Sequence, residues 1–136
     1  MWRDIERQCK LMDLPPPTRP EPFPQNSLLA ARVAVTLRDA ARPVFSRAVY
    51  RAEFTKAQPI SDRGVIGEVL RGCGLDTEAT FAAAETAENK AALRAATEEA
   101  GALGIYGAPS FVTSSGELFW GNDRLEQALA WAKREA

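Results

Sequence analysis

Residues 104–124 read GIYGAPSFVTSSGELFWGNDR, and this stretch decides the fold. It predicts a short β-hairpin with strands at 110–113 and 117–120, joined by a Ser-Ser-Gly turn. Gly107 allows the backbone to turn sharply just before Pro109 opens the first strand. The order of helix, Gly-x-Pro, hairpin and helix favours a cis peptide bond before this proline, although most bonds of this kind are trans.

Helical spacing of apolar residues dominates the rest of the chain. The hydroxyl side chains of Ser27, Ser61 and Thr77 are the expected helix N-caps, and Pro43 is expected in a first helical turn. The predicted helices span about 1–12, 27–41, 43–57, 61–74, 77–86 and 88–103, with a last one from 123. The sequence therefore predicts a mostly α-helical chain around one hairpin.

A proline-rich stretch, DLPPPTRPEPFPQN at 13–26, contains six prolines and is expected to be extended. It is either a linker between domains or an ordered strap along the surface. We favour the strap, because Phe23 gives the segment an apolar side chain to bury.

Composition excludes several classes of function. The 136 residues suffice for one domain with a core, and the net charge of −1 gives no reason to expect nucleic acid or an anionic membrane as a partner. The absence of histidine excludes Ser-His-Asp and Cys-His catalysis, and any histidine-ligated metal, within this chain.

Cys9 and Cys73 form no CxxC pair, which is typical of a reducing cytoplasm. No apolar stretch predicts a transmembrane segment or a signal peptide.

An isolated two-stranded hairpin is only marginally stable in water, and each of its strands leaves an open edge. Nothing upstream has the pattern of a further strand. The hairpin therefore lies on the helices, or it pairs with strands from a segment outside this sequence, or it pairs with another chain.

The end of the sequence resembles the end of a thioredoxin-like domain. More narrowly, it resembles the 2-hydroxychromene-2-carboxylate isomerase family, which is related to the kappa-class glutathione transferases. The family pattern is Gly-x-x-Gly-x-Pro-x-Phe-x-Val followed by Phe-Trp-Gly-x-Asp-Arg-Leu. The matching residues are Gly104, Gly107, Pro109, Phe111, Phe119, Trp120, Gly121, Asp123, Arg124 and Leu125, with Val112 one residue early.

The resemblance also covers residues 1–34, which are similar to the junction between the thioredoxin half and the inserted helical domain of that family. It implies an α/β thioredoxin-like fold with a helical insertion. Residues 1–26 would lead out of the thioredoxin domain, 27–103 would form the insertion, and 104–136 would close the fold as a ββα unit. The opening βαβ segment of the family, which carries its catalytic serine, is expected to lie outside this sequence, so no residue is assigned a catalytic role.

Four candidate binding residues follow from the resemblance, which implies glutathione as the cofactor. The backbone N–H and C=O of Ala108, before Pro109, would pair with the cysteinyl part of the peptide. Asn122 and the N–H groups at the start of the last helix would bind the γ-glutamyl carboxylate, and Asp123 would bind the ammonium group. Two plainer interpretations stand beside these. Pro109 only shapes a buried turn, or Asp123 only caps the helix in the capping-box pattern Asp-x-x-Glu that it forms with Glu126.

Neighbouring aromatic residues lie close to these positions. Phe119 and Trp120 follow one another on the second strand and are expected to face opposite sides. For both of them, and for Tyr106, packing is favoured over stacking on an aromatic substrate.

The activity implied by the resemblance is that of a glutathione-dependent isomerase. Its substrate would be an aromatic hydroxy-carboxylate in aromatic-compound degradation, and the enzyme would be a cytoplasmic homodimer. The thiolate would attack the substrate reversibly, with bond rotation before its release. One alternative is a thiol-disulfide oxidoreductase of the same superfamily, which would need a CxxC in the opening segment. Another is a non-catalytic module that binds glutathione or mediates dimerisation.

Overall fold

The computed structural model describes residues 1–135, and its elements follow the predicted order, with a mostly helical chain and a C-terminal hairpin and helix. The helices are α1 Trp2–Leu11, α2 Leu28–Thr36, α3 Ala41–Phe54, α4 Arg63–Gly72, α5 Thr77–Glu85, α6 Ala87–Ala102 and α7 Leu125–Glu135. The strands are β1 Ser110–Val112 and β2 Leu118–Trp120, and a 3₁₀ turn at Asn122–Arg124 leads into α7. The chain divides into two compact units, Met1–Leu93 and a second that begins at Arg94.

The first unit is held together by an apolar core between its helices. α2 contacts α3, α4 and α5, and its Val33 is completely buried. Phe45 of α3, Ile66 and Leu70 of α4 and Phe81 of α5 are at most 3% exposed. Burying a side chain of this size contributes roughly 1.5–3 kcal/mol, so this core fixes the helices of the unit.

The proline-rich segment is an ordered strap, as predicted. The Phe23 ring meets the Trp2 indole edge-on, with centroids 5.2 Å apart and planes at 72°. The Arg19 guanidinium lies 5.9 Å from each ring centroid. The Thr18 N–H donates to the Phe54 carbonyl at 2.7 Å, so the strap is fixed against α1 and α3.

Carboxylates replace the hydroxyl groups that were predicted to cap the helices. Asp62, not Ser61, caps α4, and its Oδ1 accepts the N–H groups two and three residues later at 2.6 and 3.2 Å. Asp76, not Thr77, caps α5 and accepts the N–H three residues later at 2.9 Å. Ser27 occupies the N-cap position of α2 but forms no side-chain cap bond. The predictions for Ser61 and Thr77 were wrong because an aspartate stands next to each of them. Its carboxylate is an equally good acceptor for the free helix N–H groups.

α2 is shorter than predicted, and α3 begins earlier. α2 ends at Thr36, because Leu37 has an extended backbone with φ −82° and ψ 145°. Asp39 then adopts a φ of 50°, and α3 begins at Ala41. Pro43 is therefore the third residue of α3, still in the first turn, where its missing N–H costs nothing.

The second unit contains the hairpin and α7. β1 and β2 pair antiparallel with Phe111 opposite Phe119, and within residues 1–135 the sheet has these two strands. α7 packs against β1, and the Phe119 and Trp131 rings have centroids 6.4 Å apart. The hairpin therefore rests on a helix of its own unit.

The boundary between the two compact units falls within α6. The predicted family segments, 1–26, 27–103 and 104–136, remain a prediction, and residue 136 lies outside the described residues. No helix in residues 1–135 is both long and apolar enough to cross a bilayer.

Candidate functional site

One backbone hydrogen bond brings the predicted site residues together. The Ala108–Pro109 peptide bond is cis, as predicted. The Pro109 carbonyl accepts the Gly121 N–H at 3.0 Å, directly beyond the end of β2. Ala108 and Pro109 therefore lie beside the segment in which Asn122 and Asp123 follow Gly121.

The backbone of Ala108 is available to a ligand. Ala108 and Pro109 are both exposed, so the turn that Pro109 shapes is not buried. Within residues 1–135, neither the N–H nor the C=O of Ala108 has a hydrogen-bond partner. Two such groups on one residue can pair with an extended peptide as a neighbouring strand does.

The start of the last helix offers a second set of free donors. The N–H groups of Asn122 and Asp123 have no partner in the described part of the chain, whereas the next N–H, of Arg124, donates to Gly121 at 3.1 Å. Both side chains are exposed, and that of Asp123 is 81% exposed. Free N–H groups and the helix dipole together favour an anion at this end of the 3₁₀ turn and α7.

The interpretation of Asp123 as a helix cap is wrong. Gly121 occupies the N-cap position, because the 3₁₀ turn begins one residue before the predicted helix start and takes Asp123 inside it. The Asp123 carboxylate forms no cap bond, and Oδ2 lies 3.8 Å from Nε of Arg124. An exposed pair at that distance is weak, so the carboxylate remains available for a ligand.

Gly121 is a site residue whose role sequence reasoning missed. Its φ is +114°, and a Cβ atom placed there would lie 2.5 Å from Oδ1 of Asp123. Glycine is therefore needed both for the backbone conformation and for the position of the carboxylate. The glycine of the Trp-Gly-x-Asp pattern is the sequence signal for this role.

An exposed aromatic pair flanks Ala108. The Trp120 and Tyr106 rings have centroids 5.2 Å apart at 49°, and these residues are 50% and 73% exposed. The indole lies so close to Gly107 that a Cβ atom there would be 2.5 Å from Nε1. Phe119 is half-buried and contacts Trp131, which confirms that neighbouring residues of β2 face opposite sides.

The hairpin turn is bonded to the far end of α7. The Glu135 carboxylate accepts hydrogen bonds from the hydroxyl groups of Thr113, Ser114 and Ser115. The bond from Ser115 is the main cause that holds the pKa of Glu135 below its ordinary value. These bonds hold the hairpin on α7 and so support the geometry at the opposite end of the strands.

The two thiols of the chain lie in the first unit, and Cys9 and Cys73 are free and half-buried. Within residues 1–135, no group of three or more Cys, Asp and Glu is arranged to hold a metal ion.

Comparisons with known proteins agree with the resemblance stated from the sequence. A profile described as DSBA, DSBA-like thioredoxin domain, matches residues 1–130. A search of curated proteins finds no significant match. Among solved structures, a selenomethionine form of 2-hydroxychromene-2-carboxylate isomerase superposes with a TM-score of 0.82 at 19% sequence identity. The superposition covers 97% of this chain and 64% of that chain, and a likeness at this identity is one of fold.

The thioredoxin-like fold predicted from the sequence is therefore confirmed. The chain spans less than two thirds of the isomerase that it resembles. Because the family profile covers all but the last six residues of the sequence, this chain belongs to the DSBA-like thioredoxin domain family.

Proposed function

We propose that this chain forms the glutathione-binding part of a glutathione-dependent isomerase of the 2-hydroxychromene-2-carboxylate type. The observation that carries the proposal is the unpaired backbone of Ala108 beside two unpaired N–H groups at the start of the last helix. The catalytic serine implied by the resemblance belongs to the opening segment of the family, so no residue of this chain receives a catalytic role.

The residues present fit a peptide that carries both an ammonium group and a carboxylate. The exposed N–H and C=O of Ala108 can hold an extended peptide in register. The free N–H groups and the Asn122 side chain can bind a carboxylate at the helix N-terminus. The Asp123 carboxylate supplies the opposite charge for the adjacent ammonium group.

Glutathione would supply a thiol for the isomerisation, and this chemistry requires neither histidine nor metal. The backbone at Ala108 would orient the cysteinyl part of the peptide. Tyr106 and Trp120 present an exposed aromatic surface next to that backbone, which suits an aromatic hydroxy-carboxylate as substrate. We further propose that the protein is a cytoplasmic homodimer, as the resemblance implies.

Calorimetric titration of the 136-residue chain with reduced glutathione tests the binding site. We expect Asp123→Asn to weaken glutathione binding roughly fivefold, because an exposed ion pair is worth up to about 1 kcal/mol. Cysteinylglycine lacks the γ-glutamyl end, so its weaker binding should be the same for the variant and the parent chain.

Glu126→Gln is the matched control, because Glu126 is an exposed carboxylate three residues further along, in the first turn of α7. It should leave the affinity for glutathione unchanged. Two results would show that Asp123 does not bind the ammonium group. One is an equal loss of glutathione affinity in Asp123→Asn and Glu126→Gln, and the other is an equal effect of Asp123→Asn on the affinities for glutathione and cysteinylglycine.

The activity is tested on the whole protein with 2-hydroxychromene-2-carboxylate as substrate. We expect its isomerisation to require glutathione and to leave the thiol unconsumed. Reduction of a protein disulfide with no isomerisation would instead support the thiol-disulfide oxidoreductase.

A further inference from the structure

A largely buried glutamate in the first unit has a carboxyl group without a protein partner. Glu53 lies on α3 and is 7% exposed, between the buried Ala52 and the half-buried Phe54. Within residues 1–135, its side chain forms no hydrogen bond or ion pair. Burial raises the pKa of the Glu53 carboxyl above its ordinary value. The carboxyl oxygens themselves are not fully buried, so water can reach this group, which has no protein partner.

Glu53 lines a cavity of about 310 Å³. This volume is at the lower end of the range for small-molecule sites in proteins. The other lining residues are mostly apolar. They are Pro24, Gln25, Ser27, Ala30, Ala31, Ala34, Phe45, Ser46, Val49, Tyr50, Phe54 and Ile60. No lysine or arginine is among the described residues that line the cavity, so its one formal charge is that of Glu53.

Two polar groups around the cavity are already engaged. The Gln25 side chain donates to the Pro22 carbonyl at 2.7 Å and accepts the Ser61 hydroxyl at 3.2 Å. The Ser46 hydroxyl donates to the Arg42 carbonyl at 2.9 Å. The Glu53 carboxyl thus remains as a strong acceptor in a mostly apolar cavity that is open to solvent.

We propose that this cavity binds a small primary amine with an apolar body, whose ammonium group pairs with Glu53. The carboxylate attracts a positive charge that the lining residues do not supply, and the apolar walls favour a hydrocarbon or aromatic body. An organic anion is disfavoured, because it would meet the carboxylate without any cation to balance it. The residues that line the cavity all belong to the first unit, whereas those of the proposed glutathione site belong to the second.

Benzylamine and benzyl alcohol form a matched pair of probes, because they share the ring and differ in charge. We expect benzylammonium to bind the parent chain at neutral pH at least about tenfold more tightly than benzyl alcohol. Glu53→Gln should remove this preference while leaving the weak binding of the alcohol. Glu68→Gln should change neither affinity, since Glu68 is an exposed carboxylate on α4 outside the cavity.

A second variant tests the location without relying on the charge. Ala31 lies on α2 and lines the cavity, so Ala31→Leu should fill space and weaken both probes. Titrations followed by amide chemical shifts should show changes centred on Phe45, Val49 and Ile60, and the same spectra report whether each variant is folded.

Three results would overturn the proposal. The first is equal affinity of the parent chain for the amine and the alcohol. The second is a preference for the amine that survives in Glu53→Gln. The third is a pattern of shift changes that lies outside the cavity or is unaffected by Ala31→Leu.

Discussion

At the scale of single residues, Gly121 connects the hairpin with the start of the last helix. Its N–H is bonded to Pro109, its backbone adopts a positive φ, and the Asp123 carboxylate occupies the space where a Cβ atom would lie. A residue with a side chain is strained in this conformation and also displaces the carboxylate. The stability of this segment and the position of the Asp123 carboxylate therefore both depend on the absence of a Cβ atom at residue 121.

Gly121→Ala should lower the free energy of unfolding by roughly 1–3 kcal/mol and weaken the binding of glutathione. Gly101→Ala is the control, because Gly101 lies in α6 at an ordinary φ with no atom within 4 Å of the added Cβ. It should instead raise stability by up to about 1 kcal/mol through helix propensity. Urea unfolding followed by circular dichroism measures both, and a loss of equal size in the two variants would contradict the strain at 121.

At the scale of elements, the hairpin and the order of helices could be predicted, but several helix ends could not. The hairpin was predictable because Gly107, Pro109 and a Ser-Ser-Gly turn delimit two short apolar runs. The helix starts at 61–63 and 76–77 each offer two good capping side chains in succession, and only packing decides which one sits at the boundary. The candidate binding residues were predictable from the family pattern. The close contacts of Gly107 and Gly121 were not, because they depend on how the chain packs in three dimensions.

The bonds between Glu135 and the hairpin turn make a pH dependence testable at this scale. The pKa of Glu135 is lower in the folded chain than its ordinary value of 4.5, so the ionised carboxylate stabilises the fold. This stabilisation is fully present above about pH 4.5 and is lost as the pH falls through the folded-state pKa. Glu135→Gln should therefore be less stable than the parent chain at pH 7, and the difference should shrink at pH 3.

Denaturant unfolding at the two pH values measures this effect. Glu126→Gln serves again as the control, since Glu126 is exposed on the same helix, and its stability difference from the parent should vary less with pH. A Glu135→Gln difference that is the same at pH 3 and pH 7 would show that the carboxylate bonds contribute nothing to folding.

At the scale of the whole molecule, the two compact units differ in how their apolar side chains are covered. The first contains a cluster of buried residues from α2, α3, α4 and α5. Among residues 94–135, Ala128 is the buried hydrophobic residue, whereas Trp120, Leu129 and Trp131 are each at least 40% exposed. We therefore expect the first unit to supply most of the free energy of hydrophobic burial.

Ile66→Ala tests this distribution. Ile66 is completely buried, and its truncation should lower the free energy of unfolding by about 2–5 kcal/mol. Val44→Ala, at a position 43% exposed in the first turn of α3, should stay within about 0.5 kcal/mol of the parent chain. Thermal and urea unfolding of both variants provide the measurement. Similar losses for the two would mean that the buried cluster does not dominate stability.

The hydrogen bond from the Gly121 N–H to the Pro109 carbonyl also determines how many backbone N–H groups remain free to bind a ligand. It is the last cross-strand bond before the chain turns, and the next two N–H groups along the backbone go unused. Bonded pairs alternate with non-bonded pairs in an antiparallel ladder, so the next bonded pair would lie two residues further along. It would use the Asp123 N–H and weaken the attraction for a carboxylate. Because β2 ends at Trp120, the N–H groups at the start of the last helix stay free to bind an anion.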